Sequence, residues 1–255
     1  RTPFRTALRT VERAEDVVLR LHADDGRVGH GSAPATPQIT GDTHASIIAD
    51  LRERLLPLLL EREPSELPAL LAALQDRQDA GVSARAAAEV ALHDLAAQER
   101  GQPLFRYLGG TVSTLSTDLT ISVDALPKML SDVREALGRG FSALKIKLGK
   151  DADEDIERVR AIAQAVDGRA TLRLDANQGW SPEQAIRVML AVEAAGIRAE
   201  LLEQPVGAKD LDGLARVAAA IRTPVMADES VFGPAEVEEI ARRRAARIVN
   251  IKLVK

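Results

Sequence analysis

Six positions in the C-terminal half of the chain could do chemistry together. Lys145 and Lys147 close one apolar run (Ala143-Leu144-Lys145-Ile146-Lys147), and Asp175 closes a second (Leu172-Arg173-Leu174-Asp175). Glu203 closes a third, Asp228 a fourth and Lys252 a fifth. Strand alternation points Lys145 and Lys147 to one side. Taken singly, an Asp at such a position is more often a turn or helix-cap residue, and a lysine more often solvated. Successive buried-type runs that each end in a charge are different, because such burial costs stability unless the charges share a purpose. Three neighbouring carboxylates repel one another and favour each other's protonation. A divalent cation removes the conflict, and oxygen ligands with open positions suit Mg²⁺. Lysines on both sides of that metal imply that a proton leaves a substrate carbon from one face and returns to the other. The metal would stabilise the enolate charge, and the outcome would be racemisation or epimerisation. A neighbouring ammonium and the metal both push a lysine pKa down, and Lys145 is placed to do this to Lys147.

The elements that must hold these residues form a regular series. Six β-like runs end near Ser122, Lys147, Asp175, Glu203, Asp228 and Lys252, at intervals of 25, 28, 28, 25 and 24 residues. Amphipathic helices are expected between them over 126–138, 153–166, 182–194, 208–219 and 234–244. A doubly wound sheet or a (β/α)₈ barrel would fit. A doubly wound nucleotide binder should carry a Gly-rich turn after its first strand. Gly138-Arg139-Gly140 instead precedes a strand, and Gly109-Gly110 opens no helix after one. A barrel brings all strand C-terminal ends to one catalytic mouth, so the expectation is a TIM-type (β/α) barrel over 114–255. Six repeats of eight are countable, so the barrel is expected to be truncated after its sixth strand. Residues 1–113 read as an α+β domain with its N-terminal strand missing. That domain has a hairpin over 15–33 turning at Ala23-Asp24-Asp25-Gly26, then helices over 43–60, 66–77 and 82–98.

Composition narrows the function classes. The 255 residues carry a net charge of −4, which argues against nucleic-acid binding. Aromatics are 2%, too few for base-stacking platforms. Cysteine is absent, which excludes disulfides, cysteine–zinc sites and thiol nucleophiles. No apolar run is long enough for a membrane span and no secretion signal is visible, so a cytoplasmic location is expected.

The ordered set Lys-x-Lys, Asp, Glu, Asp, Lys resembles the enolase superfamily, whose sites pair a Lys or His base with Mg²⁺. Lysines on both faces resemble its muconate-lactonising subgroup; the mandelate-racemase type carries a later His–Asp dyad, and no His follows His93. Within the subgroup the chain resembles the dipeptide epimerases. The carrying segments are Pro3–Thr10 (PFRTALRT), Ile39–Asp42 (ITGD), Thr117–Ser122 (TDLTIS), Leu174–Trp180 (LDANQGW), Glu203–Val206 (EQPV), Met226–Ser230 (MADES) and Asn250–Leu253 (NIKL).

The resemblance implies an N-terminal capping domain over a barrel, with Asp175, Glu203 and Asp228 as Mg²⁺ ligands and Lys147 and Lys252 as the acid/base pair. Lys145 would touch the substrate carboxylate and tune Lys147. Arg9, on a loop of the capping domain, would pair bidentately with a glutamate side chain of the substrate, and Thr120 would line the pocket. The implied substrate is a small dipeptide such as L-Ala-L-Glu or L-Ala-D-Glu, suiting recycling of cell-wall peptide. Relatives are often homo-oligomers. Gly31-Ser32-Ala33 departs from the more usual Gly-Glu-Ala, at a position outside the ligand set. Alternative readings are o-succinylbenzoate synthesis, N-succinylamino-acid racemisation, muconate cycloisomerisation, or an inactive fragment.

Overall fold

The computed structural model describes residues 4–7, 10–112 and 114–254. Two units emerge: Ala14–Leu115 with Lys252–Lys255, and Arg1–Arg13 with Ser116–Ile251. The second begins with a short antiparallel ribbon, β1 (Phe4–Arg5) and β2 (Thr10–Val11), which sequence patterning does not announce.

In the Ala14–Leu115 unit, β3 (Asp16–His22) and β4 (Val28–Pro34) form the expected hairpin, in register from Asp16↔Pro34 to His22↔Val28. The helices follow as α1 (His44–Ala49), α2 (Leu56–Leu59), α3 (Leu67–Gln75), α4 (Val82–Glu99) and α5 (Leu104–Tyr107). Thr43 and Ser46 close a capping box on α1. The single helix expected over 43–60 is interrupted by a π-helical stretch, Asp50–Leu55. Its first residue is a buried carboxylate, Asp50, which accepts the Gly81 N–H at 2.8 Å and pairs with Arg54. Alanine-rich α4 packs directly on β4. A Cβ at Gly31 would lie 1.9 Å from the Ala87 carbonyl oxygen, so only glycine permits that approach.

In the other unit strands and helices alternate: β5 (Leu119–Ile121), α6 (Leu126–Gly138), β6 (Ala143–Lys147), α7 (Ala152–Val166), β7 (Thr171–Asp175), α8 (Pro182–Ala194), β8 (Ala199–Glu203), α9 (Leu211–Ala220), β9 (Val225–Ala227), α10 (Pro234–Arg243) and β10 (Ile248–Val249). The helix expected at 208–219 starts later, at Leu211, where Asp210 caps it through the Gly213 N–H. All six strands are parallel, and their spatial order is their sequence order from β5 to β10. Among the described strands the order never reverses, as it would at the switch point of a doubly wound sheet. Leu144, Ile146, Leu172, Leu174 and Leu202 are buried in one core with Met129, Ile162 and Met189 of the helices. Alternation therefore turns Lys145, Lys147 and Asp175 to the opposite face of the sheet. Among the described residues no helix is long and apolar enough to cross a membrane.

Candidate active site

Register aligns the chemistry. Thr120 pairs with Lys145, and Lys147 pairs with Asp175, which pairs with Glu203. Glu203 pairs with Met226, and Asp228 stands two residues further on, just past the end of β9. All three carboxylates are buried: Asp175 is 0% exposed, Glu203 3% and Asp228 2%.

The two lysines meet these carboxylates directly. Lys145 Nζ lies 2.8 Å from Asp175 Oδ2 and 2.6 Å from Glu203 Oε2. Lys147 Nζ lies 2.6 Å from Asp175 Oδ2 and donates to Asn177 Oδ1 at 2.7 Å. It also sits 6.0 Å from the centre of the Phe4 ring. Burial acts to lower the pKa of Lys145, but the charges of Asp175 and Glu203 outweigh it and hold the ammonium above its ordinary range. In this arrangement Lys145 stays charged, so Lys147 has an ammonium two residues away on the same strand. Glu203 is pushed up, first by burial and then by the negative charge of Asp175, with Asp228 adding to it.

This arrangement bears on the metal. Among the described residues no three His, Cys, Asp or Glu side chains stand ready-made as a metal cluster. The Lys145 ammonium instead bridges two of the carboxylates, Asp175 and Glu203. The donor set nonetheless fits a hard divalent cation. Three buried carboxylates end three neighbouring strands, and two of them already close on a positive charge.

Carboxamides brace the set. Asn250 Nδ2 donates to Glu203 Oε1 at 3.1 Å, linking the end of β10 to the end of β8. Gln204 is fully buried; its Oε1 accepts the Asp228 and Ser230 N–H groups at 2.9 and 3.2 Å. Asn177 donates to Glu229 Oε1 at 3.3 Å. Asn177, Gln178 and Gln204 hold left-handed backbones, with φ of 42°, 66° and 33°. Such strain in non-glycine residues gathers at functional sites. The loops beyond β6 and β7 are locked by close approach: a Cβ at Gly149, whose φ is 97°, would lie 2.1 Å from the Ala176 carbonyl oxygen.

The structure thus brings together Lys145, Lys147, Asp175, Glu203, Asp228 and Thr120. Lys252, half-buried, follows Asn250 by two residues and groups with the Ala14–Leu115 unit. Arg9 lies outside the described residues. Phe4, Asn177, Glu229 and Asn250 stand within the segments that carry the family resemblance, but composition and spacing alone assign them no partner.

The enolase C-terminal domain-like family matches residues 128–255, and the mandelate racemase / muconate lactonizing enzyme N-terminal domain matches residues 1–109. The L-Ala-D/L-Glu epimerase of Bacillus subtilis is 46% identical over 254 residues, 99% of this chain and 69% of that protein. The chain belongs to the enolase superfamily, among its dipeptide epimerases. Two solved structures of that branch place this enolase-superfamily chain further. A substrate-liganded complex of the L-Ala-D/L-Glu epimerase from Bacillus subtilis superposes with a TM-score of 0.96 at 46% identity, covering 99% of this chain and 71% of that one. A dipeptide epimerase from Enterococcus faecalis V583, complexed with Mg and the dipeptide L-Leu-L-Tyr, gives 0.94 at 34% identity, covering 99% and 71%. The two differ in the dipeptide that each handles, so membership fixes the reaction more firmly than the side chains of the substrate.

Proposed function

We propose that this protein is a Mg²⁺-dependent dipeptide epimerase acting by 1,1-proton transfer at the α-carbon of the C-terminal residue of a dipeptide such as L-Ala-L-Glu or L-Ala-D-Glu. The observation that carries it is the contact of Lys145 and Lys147 with the buried carboxylates of β7 and β8. Asp175, Glu203 and Asp228 would hold the cation, which when bound would neutralise charge building on the substrate carboxylate as the α-proton leaves. Lys147 takes or returns the α-proton on one face and Lys252 on the other, so a proton removed by one is replaced by the other with inversion. Lys145 binds the substrate carboxylate, Thr120 lines the pocket, and Arg9 takes the side-chain carboxylate of a C-terminal glutamate. Residues 1–113 serve as the capping domain and 114–255 as the catalytic one, its six repeats part of an eight-repeat barrel. A cytoplasmic place and turnover of cell-wall peptide fit that substrate.

The test is α-proton exchange in D₂O, with L-Ala-D-Glu and Mg²⁺ followed by NMR. Loss of the α-proton signal with growth of the other epimer is expected. EDTA should abolish it, and Lys147→Ala should slow epimerisation by about 10²- to 10⁴-fold, the usual worth of a positioned proton-transfer group. Bound Mg²⁺ without exchange would keep the site and reject the dipeptide, leaving N-succinylamino acids as the next substrates to offer.

A further inference from the structure

We infer that Asn177 is a positioning residue for Lys147, aiming its amine at one face of the substrate. Its main chain and side chain grip the two members of one ion pair. The Asn177 backbone N–H donates to Asp175 Oδ1 at 2.9 Å, while Lys147 Nζ donates to Asn177 Oδ1 at 2.7 Å. Lys147 Nζ also meets Asp175 Oδ2 at 2.6 Å. The carboxamide is itself fixed, because its Nδ2 donates to Glu229 Oε1 at 3.3 Å. Asn177 is buried, and its backbone is left-handed, with φ of 42°.

Two acceptors on one amine have a directional consequence. A neutral lysine nitrogen carries two N–H bonds and one lone pair. With Asp175 Oδ2 and Asn177 Oδ1 taking the N–H bonds, the lone pair points to the remaining corner of the tetrahedron. In the forward step the substrate Cα–H bond breaks, its electron pair stays on the substrate, and the proton forms the third N–H bond on Lys147. Without Asn177 the amine can rotate about its last bond while keeping the Asp175 contact, and that corner is no longer aimed. Backbone geometry does not require the carboxamide here, since glycine adopts a positive φ freely. Asn177→Gly therefore removes the acceptor and leaves the turn.

This inference rests on the epimerase reading for the meaning of the two faces, so its test has two arms. In the first, exchange of the α-proton into D₂O is measured separately from L-Ala-L-Glu and L-Ala-D-Glu. Lys147→Ala should stop exchange from one epimer and spare the other. Asn177→Gly should lower kcat on that same epimer by about 10- to 100-fold, the cost of a misplaced reacting group, with KM and the exchange of the other epimer little changed. Calorimetric Mg²⁺ affinity should match the wild type, which a general collapse of the loop would not allow. In the second arm no substrate is present. The ¹⁵N–¹H ammonium signal of Lys147, assigned by its loss in Lys147→Arg, should exchange slowly with water in the wild type and faster in Asn177→Gly. Equal loss on both epimers, or an ammonium signal indifferent to Asn177→Gly, overturns the inference. Wild-type protein that exchanges neither epimer, with a Lys147 signal that does respond, rejects the epimerase reading and leaves Asn177 as the holder of that amine.

Discussion

Glu193 shows how one residue can fix a sheet at the end away from its chemistry. It lies on α8, and its Oε1 accepts the Arg222 N–H, the Thr223 N–H and the Thr223 hydroxyl at 2.9, 2.8 and 2.9 Å. These bonds hold the chain as it turns into β9. Burial raises the Glu193 pKa, but the bonds from Thr223 and Arg222 outweigh it and hold the carboxyl below its ordinary 4.5. A folded-state pKa below the unfolded value stabilises the fold fully above the unfolded pKa, and the stabilisation drains away as pH falls through the folded one. Urea unfolding at a series of pH values should show wild-type stability declining below pH 4.5, with Glu193→Gln less stable at neutral pH and flatter in that acid range. Glu193 is illegible in sequence, where it reads as one more charge on an amphipathic helix. Lys145, Lys147 and Asp175 are legible because strand alternation alone sets their side. Asn177 falls between: its position is visible, but its partner depends on a left-handed turn that the pattern does not reveal.

At the scale of elements, α7 does more than cover the sheet. Its first turn carries Asp155, fully buried, whose Oδ2 accepts the Gly149 N–H at 2.8 Å and the Trp180 indole N–H at 3.1 Å. Its Oδ1 takes Arg158 at 2.8 Å. One carboxylate thus ties down the loop after β6 and the loop after β7, which follow Lys147 and Asp175. Asp155→Ala leaves the buried Arg158 without that partner, and should destabilise the protein by roughly 3–5 kcal/mol in denaturant unfolding, the usual cost of breaking a buried pair. Helix periodicity and strand spacing make the six strands from β5 to β10 and the five helices between them readable, including most helix ends. The β1–β2 ribbon was not readable, because two-residue strands carry no period. It is held by tertiary contacts: Arg5 O accepts the Val123 N–H at 3.2 Å, and the Arg5 guanidinium pairs with Asp124. The π-helical stretch Asp50–Leu55 is equally illegible, since its apolar pattern reads as an ordinary helix.

For the whole molecule, the clustered carboxylates make stability depend on what they hold. Glu203 sits above its ordinary pKa through burial and the charge of Asp175, so a divalent cation that binds the folded protein relieves a repulsion that the unfolded chain lacks. Thermal unfolding with increasing Mg²⁺ should therefore move to higher temperature. At one hundred times the dissociation constant the added stability should be about 2.7 kcal/mol. Glu203→Ala should leave the midpoint insensitive to Mg²⁺.

The unbroken strand order from β5 to β10 also bears on how the protein is made. Each strand pairs only with the strand synthesised just before or just after it, so the sheet can grow at one edge as the chain leaves the ribosome. Lys145 and Lys147 emerge first, Asp175 arrives to meet both, and Glu203 then joins Lys145. Asp175 and Glu203 thus each enter a surface that already offers an opposite charge, before any metal is needed to neutralise them.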